Sequence, residues 1–425
     1  MANPAVINSL KKQKQERDLF LQGQYIIREK SKNPKDYLGN DLIKVITGPR
    51  RSGKSTFALL LLKGEGYAYV NLEDNSLMSL IQDNDDELMD SLEEVYGKFT
   101  YILVDEIQNL NAWEMFLNKL HRRGYNVFVT GSNGKLLSGE LATSLTGRHI
   151  TIDIFPLSFQ EVMNYLYPES RPPDSTISAE LRKYLISGGF PEIITKQFDV
   201  NNYLGNLINS TIYKDVVTRN RIRMAPKVEK LANYLIANCT REFSYRNIAT
   251  MLEVKSANTV NKYIEYLEQT FLFFQLNRYS FKFKEQINSN KKIYIVDNGI
   301  LSSQNLFNSS SEGIYLENMI FAELLRRKYR QNIDLFYYKT RNDKEVDFIL
   351  KDWQKTKELI QVSYDIHDPK TEKREVSALL EASEELKCDN LVIINWDIEK
   401  EEIKDGKTIK YIPAWKWLLS EEKSK

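Results

Sequence analysis

A glycine-rich loop constrains the fold of this chain more than any other segment, and its sequence is GPRRSGKS at residues 48–55. It follows a short apolar run, LIKVIT at residues 42–47, which is typical of a buried strand. An apolar helical run, STFALLLL, begins at the last residue of the loop. The spacing G-x-x-x-x-G-K-[ST] turns successive backbone N–H groups toward a phosphate at the start of a helix. The sequence therefore predicts a strand–loop–helix unit that binds nucleotide phosphates.

The residues of this loop have separate predicted roles. Glycine at the bend avoids a clash between a Cβ atom and the phosphates. Lys54 is predicted to reach the β- and γ-phosphates, and the Ser55 hydroxyl is predicted to bind Mg²⁺. A chance glycine turn is the alternative, but the flanking strand and helix argue against it. The predicted nucleotide-binding residues are Gly48, Pro49, Arg50, Arg51, Ser52, Gly53, Lys54, Ser55 and Thr56.

A pair of carboxylates ends the third predicted strand, YILV at residues 101–104. Ligands bind at the carboxyl ends of strands in open α/β sheets, so we expect Asp105 to hold Mg²⁺, usually through water. Glu106 is placed to polarise the attacking water as a general base. The alternative is that both residues cap the following helix. The phosphate loop upstream favours the catalytic interpretation.

A polar turn, TGSN at residues 130–133, follows the fourth predicted strand. Ser132 or Asn133 could hydrogen-bond the attacking water or the γ-phosphate, and we take Asn133 as a candidate catalytic residue. A simple turn followed by a helix N-cap is an equally good explanation.

The pattern of strands and helices divides the chain into four predicted parts. Residues 1–155 carry short apolar strands separated by helices, which predicts an α/β domain with a parallel sheet and a preceding polar helix from Lys11 to Lys30. Residues 156–224 are helical, and residues 225–285 form a small helical module that ends in a hairpin. Residues 286–425 form a second, smaller α/β unit, and the polar segment Lys282–Asn290 is predicted to be the linker that leads into it.

Composition excludes several classes of protein. A chain of 425 residues is too long for one core, which predicts two to four domains. The net charge of +1 means that any nucleic-acid contact must come from a local patch. Two cysteines and three histidines provide neither a disulfide framework nor a zinc-binding spacing. With no secretory signal and no apolar run long enough to span a membrane, we expect a cytoplasmic protein.

These motifs resemble the AAA+ and STAND branch of P-loop ATPases, in which the catalytic Glu directly follows the magnesium Asp. Over nearly its whole length the chain resembles a prokaryotic ATPase family with an AAA-type N-terminal domain and a C-terminal domain of unknown function. The resemblance implies ATP and Mg²⁺ as cofactors, ATP hydrolysis, and the possibility of a homo-oligomer. It is carried by GPRRSGKS, VDEIQ at residues 104–108, TGSN, LTGR at residues 145–148, PLSF at residues 156–159 and GGFP at residues 188–191.

The same resemblance suggests further site residues. Arg148 is the best candidate for a charge-neutralising arginine, either a sensor or an arginine finger from a neighbouring subunit. The alternative is a surface arginine that pairs with a carboxylate. Arg219, Arg221 and Arg223 are weaker candidates from the helical lid. Pro191 resembles the proline that packs at the nucleotide base in STAND relatives, or it is an ordinary helix stop.

The module at residues 225–285 has a helix-turn-helix pattern followed by a strand. This pattern predicts a winged-helix module, for which DNA binding through the second helix is one interpretation. That helix carries Lys262 but also Glu265 and Glu268, so we favour a lid that packs or signals between domains. The three segments are FSYRNIATML at residues 243–252, NTVNKYIEYL at residues 258–267 and FLFFQL at residues 271–276.

The C-terminal part has the layout of restriction-endonuclease-like folds. Glu317 lies on a predicted helix, Asp347 on a strand and Gln361 on the next strand, where carboxylates would bind Mg²⁺. Ser363 stands where these folds carry a lysine that polarises water. Lys339 is a conceivable migrated replacement. We therefore predict a degenerate nuclease fold, used for binding or regulation and not for cleavage.

Three functions are compatible with this sequence. The leading hypothesis is a Mg²⁺-dependent ATPase that acts as a molecular switch on an unknown protein or nucleic-acid partner. The alternatives are an ATP-regulated nuclease in DNA processing or defence and a DNA-binding regulator controlled by ATP.

Overall fold

A computed structural model describes residues 3–81, 85–134, 145, 147–196, 198–304 and 311–420. Two compact units divide the chain. The first comprises Met1–Phe155 and Gln269–Phe271, and the second comprises Pro156–Glu268 and Leu272–Lys425.

A five-stranded sheet with the order β2-β3-β4-β1-β5 forms the centre of the first unit. All neighbouring strands are parallel, which requires crossover connections such as helices. The strands are β1 (Ile43–Thr47), β2 (Tyr67–Asn71), β3 (Tyr101–Asp105), β4 (Asn126–Gly131) and β5 (His149–Asp153). The predicted α/β fold with a parallel sheet is confirmed.

Helices of the first unit lie against the apolar strands. Buried aliphatic and aromatic residues form two clusters in this unit, one around Val45 and Val104 and the other around Ile46 and Leu103. Neighbouring residues of a strand point to opposite faces, so the two clusters lie on opposite faces of the sheet. The helices are α1 (Pro4–Phe20), α2 (Lys35–Leu38), α3 (Lys54–Leu61), α4 (Asn75–Ile81), α5 (Asp85–Tyr96) and α6 (Trp113–Arg122).

The first helix was predicted from Lys11 to Lys30, but in the structure it runs from Pro4 to Phe20. The Asn3 side chain accepts a hydrogen bond from the backbone N–H of Ala5 at 3.0 Å, and a proline follows at the first helical position. Both features start a helix early. Val6 and Leu10 are fully buried, so this first turn belongs to the core and the helix is more than a polar leader.

The second unit begins with a helical region and ends with a mixed α/β region. A π-helical segment, Ile212–Thr218, follows the fourth of its helices. The helices are α7 (Phe159–Leu166), α8 (Asp174–Ser187), α9 (Pro191–Lys196), α10 (Val200–Thr211), α11 (Ala225–Ala237), α12 (Tyr245–Met251), α13 (Ala257–Glu268), α14 (Phe283–Asn288), α15 (Asn298–Ser303), α16 (Glu312–Arg326), α17 (Pro369–Leu386) and α18 (Ala414–Leu419).

A three-stranded antiparallel sheet accompanies helices α11, α12 and α13. Its order is β6-β8-β7, with β6 (Glu242–Phe243), β7 (Phe273–Asn277) and β8 (Lys291–Ile295). The chain order is therefore helix, strand, two helices and two strands. The segment between β7 and β8, predicted as a linker, contains the short helix α14.

A six-stranded sheet with the order β13-β14-β12-β11-β10-β9 forms the C-terminal part. Strands β11, β12 and β14 are parallel, whereas β10 is antiparallel to both of its neighbours. The strands are β9 (Leu335–Lys339), β10 (Glu345–Asp352), β11 (Lys355–Ser363), β12 (Leu391–Asn395), β13 (Lys400–Lys404) and β14 (Lys407–Pro413). The sequence analysis missed the hairpin of β13 and β14.

Across the residues with described coordinates, none of the helices combines the length and the hydropathy that crossing a membrane requires.

Candidate functional site

The glycine-rich loop lies between the end of β1 and the start of α3, and its glycines meet a steric requirement. Gly48 has a φ of 139°, and a Cβ atom there would lie 2.2 Å from the carbonyl oxygen of Ile154. Gly53 has a φ of 92° and directly precedes α3. Both values lie in a region that side-chain-bearing residues rarely adopt. The two glycines of the motif are therefore required by the backbone path itself.

Lys54 is buried inside this loop. Its Nζ donates a hydrogen bond to the carbonyl oxygen of Pro49 at 2.9 Å. This bond holds the ammonium within the curve of the loop, where a phosphate would meet it.

Two basic residues of the segment before β1 hold the surroundings of the loop, Arg28 at the loop itself and Lys30 at the neighbouring strand β5. Neither was predicted from the sequence. The guanidinium of Arg28, which is buried, donates to the carbonyl oxygen of Ser52. The Lys30 ammonium donates to the carbonyl oxygen of Asp153, at the end of β5. Neither residue stands in a motif, so the sequence carried no signal for them.

Asp105 ends β3 at the carboxyl edge of the sheet, beside the first turn of α3. The Ser55 hydroxyl donates to its Oδ1 at 2.8 Å, and the Tyr69 hydroxyl donates to its Oδ2 at 3.4 Å. The Thr130 hydroxyl also donates to Oδ1. Burial raises the pKa of Asp105 above its ordinary value, and the hydrogen bond from Thr130 opposes that rise. The hydroxyl and carboxylate oxygens in contact here are the donors that Mg²⁺ prefers.

Glu106 follows immediately and has a φ of 56°, in the left-handed region. Its backbone N–H donates to the Thr130 hydroxyl at 3.0 Å. Its carboxylate accepts hydrogen bonds from Ser132 at 3.2 Å and from Gln108. The side chain does not cap the short 3₁₀ helix at Ile107–Asn109. The capping alternative is therefore excluded for Glu106, and its carboxylate is held by one side chain of the 3₁₀ helix and by one from the turn after β4.

The polar turn after β4 contributes through Ser132 and Thr130. Ser132 bonds Glu106, and Thr130 joins Asp105 and Glu106 through one hydroxyl. Asn133 is buried next to Ser132 and stays a predicted site residue. Thr130 was not among the predicted site residues, although it belongs to the polar turn TGSN.

Arg148 lies at the opposite edge of the same sheet. It precedes β5, and its carbonyl oxygen accepts a hydrogen bond from the N–H of Ile43 at the start of β1. Five residues of β1 separate that edge from the glycine-rich loop, a distance of about 16 Å at about 3.3 Å per residue. The side chain is exposed and bonds none of the described residues. Arg148 therefore does not contact the phosphate loop of its own chain.

The lid residues singled out in the sequence belong to the second unit. Arg219 forms an ion pair with Asp215 at 3.2 Å. Arg221 and Arg223 are exposed, and Arg221 has a φ of 50°. Pro191 is the first residue of α9, so the helix-stop interpretation is wrong, because proline is well tolerated at the first helical position.

The C-terminal carboxylates surround a lysine that the sequence analysis missed. The Nζ of Lys292 lies 2.9 Å from Glu317, 2.7 Å from Glu345 and 3.4 Å from Asp347. Glu317 and the other carboxylates raise the pKa of Lys292 well above its ordinary value, although burial acts against them. Burial raises the pKa of Asp347 well above its ordinary value, and the nearby negative charge of Glu317 raises it further.

Gln361 lies beside the same cluster but does not contact Lys292. Its Oε1 accepts a hydrogen bond from the backbone N–H of Asp347 at 3.4 Å, and its Nε2 donates to Glu375. The Ser363 hydroxyl instead donates to the carbonyl oxygen of Asp365 at 3.2 Å.

Lys339 is not the residue that supplies a positive charge to Glu317 and Asp347. It pairs with Glu242 at 3.1 Å and is 3.9 Å from Glu345. Our suggestion of Lys339 is corrected by this geometry, since Lys292 holds the central position. In the part of the chain with described coordinates, no group of three or more His, Cys, Asp or Glu side chains is arranged to hold a metal ion.

Three family models match successive parts of the chain. An AAA domain matches residues 40–163, and two domains of unknown function, DUF8612 and DUF4143, match residues 178–311 and 312–417. Neither of the latter two descriptions names a nuclease. The AAA match supports nucleotide binding with Mg²⁺ and, in general, ATP hydrolysis.

Solved structures to which the chain is similar include the Walker-type ATPase of Pyrococcus abyssi. It has a TM-score of 0.41 and 15% identity, and the match covers 66% of this chain and 96% of that one. The ORC1 protein of Aeropyrum pernix, solved in complex with DNA, has a TM-score of 0.30 and 13% identity, with 68% and 92% coverage.

Two curated relatives align with most of the chain. An uncharacterized protein of Methanocaldococcus jannaschii is 36% identical over 400 residues, which are 89% of this chain and 88% of that protein. An uncharacterized protein of Haemophilus influenzae is 30% identical over 394 residues, 88% of this chain and 94% of that protein. The chain therefore belongs to one family with these two proteins, and its N-terminal part is an AAA domain of the P-loop ATPase type.

Proposed function

We propose that this protein hydrolyses ATP with Mg²⁺ and uses the cycle as a switch on a macromolecular partner. One observation carries the proposal: Ser55, Asp105, Thr130, Glu106 and Ser132 form a continuous chain of hydrogen bonds at the carboxyl edge of the sheet, next to the loop that holds Lys54.

Each group has a role that its contacts support. Lys54 can exchange its bond to the Pro49 carbonyl for one to a phosphate oxygen, which keeps the ammonium paired. Bound Mg²⁺ would neutralise charge on the phosphates, and Ser55 and Asp105 are the residues that would hold it. Glu106 accepts the proton of the attacking water, and Ser132 orients its carboxylate.

The switch would connect to a partner through the second unit. We infer that β6–β8 with α11–α13 form a winged-helix module, because their chain order and sheet order fit that fold. The order α16, β9, β10, β11, α17, β12 similarly supports a degenerate restriction-endonuclease-like fold, with Glu317, Asp347 and Gln361 in the corresponding positions. We expect this fold to bind or regulate, without cutting DNA.

Steady-state kinetics of two variants test the ATPase proposal. Lys54→Ala should lose tight ATP binding, because it removes the ammonium that the loop encloses. Glu106→Gln should bind ATP normally and hydrolyse it roughly 10²-fold or more slowly, because the amide keeps the shape but loses the basicity. Calorimetric ATP binding and phosphate release measure the two effects.

Lys63→Ala is the matched control, because Lys63 is exposed just beyond the other end of α3. It should leave both ATP binding and turnover unchanged. Wild-type affinity in Lys54→Ala, or wild-type turnover in Glu106→Gln, would refute the assigned roles.

A second candidate function, binding of single-stranded nucleic acid, is favoured by an exposed strip in the second unit. Phe281 and Phe283 are each 74% exposed, and they alternate with Lys282 and Lys284, which are also exposed. The segment borders a groove of about 350 Å³ whose charged lining residues are three cations and two carboxylates, Arg278, Lys339, Arg341, Glu285 and Glu385. Exposed aromatic rings stack on bases and lysines follow the phosphates.

Fluorescence anisotropy with a labelled oligothymidine tests this candidate. The double variant Phe281→Ala/Phe283→Ala should bind roughly tenfold or more weakly, since each stacking contact contributes about 1–3 kcal/mol. Trp353→Ala is the control, because Trp353 is a 93% exposed aromatic residue on the turn between β10 and β11. Equal affinity of the wild type and the double variant would remove this candidate.

A further inference from the structure

The carboxylate cluster of the C-terminal part has a cation of its own. The Lys292 side chain is 2% exposed, and its Nζ forms ion pairs with Glu317, Glu345 and Asp347 at 2.7–3.4 Å. The side chains of Glu317 and Asp347 are 14% and 8% exposed, so both charges meet the ammonium away from solvent. Glu345 is 34% exposed and closes the outer side of the cluster.

The four residues come from different parts of the second unit. Lys292 lies on β8 of the three-stranded sheet, Glu317 on α16, and Glu345 and Asp347 on β10 of the six-stranded sheet. Tyr294, two residues further along β8, donates its hydroxyl proton to Glu317 Oε1 at 2.7 Å. Residues two apart on a strand face the same side, so one face of β8 supplies both contacts.

An ammonium and a divalent metal make incompatible demands on the same oxygens. Mg²⁺ requires ligand oxygens at about 2.0–2.1 Å, whereas an ammonium hydrogen-bonds oxygens near 2.8 Å. The Lys292 ammonium already lies within ion-pair distance of the three carboxylates, so a metal ion shared by them would have to replace it. Displacing it would leave a buried lysine charge without partners, which is strongly unfavourable.

We propose that the Lys292 ammonium is the resident cation of the Glu317, Glu345 and Asp347 cluster, and that it keeps divalent metal ions out of the natural chain. The described carboxylates are not arranged to hold a metal ion as they stand, and we expect them to close around a divalent cation only once the ammonium is removed. The proposal concerns the second unit alone and does not depend on ATP hydrolysis in the first unit.

Titration with Mn²⁺ without nucleotide, followed by calorimetry and by the electron paramagnetic resonance of free Mn²⁺, tests the proposal. Lys292→Met keeps the length of the side chain and removes its charge, so it should bind Mn²⁺ at least tenfold more tightly than the wild type. The gain should disappear in Lys292→Met/Asp347→Asn. Mn²⁺ should also raise the melting temperature of Lys292→Met and not that of the wild type.

The neighbouring lysine provides a matched control. Lys291 is also buried, but its Nζ donates only to the backbone carbonyl oxygens of Gln286 and Ile287 among the contacts identified for it. Lys291→Met should therefore gain no Mn²⁺ affinity. A similar gain in both single variants would overturn the proposal, because it would reflect a loosened fold and not an exposed cluster.

Two further outcomes decide against the proposal. A folded Lys292→Met protein with wild-type Mn²⁺ affinity would show that the ammonium is not what excludes the metal. If Lys292→Met does not fold, the single variant Asp347→Asn, which keeps Lys292, tests the proposal in its place. We expect its Mn²⁺ affinity to equal that of the wild type. A wild-type Mn²⁺ site that Asp347→Asn abolishes would overturn the proposal.

Discussion

At the scale of single residues, Thr130 links the two carboxylate residues of the candidate site. Its hydroxyl donates to the carboxylate of Asp105 and accepts from the backbone N–H of Glu106. One side chain on β4 thus fixes both carboxylate residues at the end of β3. Groups that orient metal ligands in this way commonly affect metal affinity or activity by about 10–100-fold.

We expect Thr130→Val to reduce ATP turnover at least about tenfold and to raise the Mg²⁺ concentration needed for half-maximal activity. Valine has the same shape but cannot donate to Asp105 or accept from Glu106. Thr130→Ser should restore most of the activity, because it returns the hydroxyl. The measurement is ATP turnover as a function of Mg²⁺ concentration. If the loss came from packing and not from positioning, the turnover of Thr130→Ser would be no higher than that of Thr130→Val.

At the scale of elements, the GGFP motif is explained by close backbone contacts within the second unit. The N–H of Leu157 donates to the carbonyl oxygen of Gly189 at 2.7 Å, and the N–H of Gly189 donates to Asp297 at 2.7 Å. Gly188 has a φ of 70°, and a Cβ atom there would lie 1.7 Å from Asp297 Oδ1. One backbone hydrogen bond therefore joins the segment before α7 to the turn before α9, and the Asp297 side chain joins that turn to the start of α15.

Gly189→Ala should destabilise the second unit. Its Cβ atom would lie 2.1 Å from the carbonyl oxygen of Leu157, so the backbone must shift, at a cost of about 1–3 kcal/mol. In a unit of this size, each kcal/mol lowers the melting temperature by roughly 2–4 °C.

Gly205→Ala is the control for this effect. Gly205 lies inside α10, and no heavy atom outside its own helix lies within 4 Å of the added Cβ atom. Because alanine is the better helix former, this variant should be neutral or more stable by up to about 1 kcal/mol. Differential scanning calorimetry of the two variants checks both signs, and a Gly189→Ala protein as stable as the wild type would contradict the steric argument.

At the scale of the whole molecule, the position of Arg148 leaves two interpretations, an arginine that acts on the site of a neighbouring subunit and an ordinary surface arginine. Its side chain is exposed at the amino edge of the sheet, about 16 Å from the glycine-rich loop along β1. An arginine at that edge cannot reach the phosphates of its own chain. A neighbouring copy in a homo-oligomer could receive it, in the manner of an arginine finger.

We expect Arg148→Ala to lower the turnover of ATP by 10²-fold or more while leaving ATP affinity nearly unchanged. Mixing it with Glu106→Gln subunits should restore part of the activity, because some sites then combine an intact Glu106 with a neighbour's intact Arg148. Arg122→Ala, an exposed arginine at the end of α6, should behave as the wild type. Unchanged turnover in Arg148→Ala would leave it an ordinary surface residue.

The sequence by itself determined the features that depend on local pattern. Apolar periodicity and glycine spacing within short windows of sequence predict three such features. They are the strand–loop–helix unit at residues 42–62, the strand that ends in Asp105 and the parallel α/β fold. The conformations of Gly48 and Gly53 agree with the spacing of their motif. Such features are encoded locally because backbone geometry and burial repeat with the period of the element.

Only the tertiary structure decided which distant residues meet. Lys292 contacts Glu317 and Asp347 across 25 and 55 residues, and Arg28 reaches Ser52 across 24. In the sequence, Lys292 stands at the start of an apolar strand, where a lysine is usually exposed, so nothing local distinguishes it. The partner of a charge is set by the path of the whole chain and by which polar groups are buried together, and no short window of sequence contains that information.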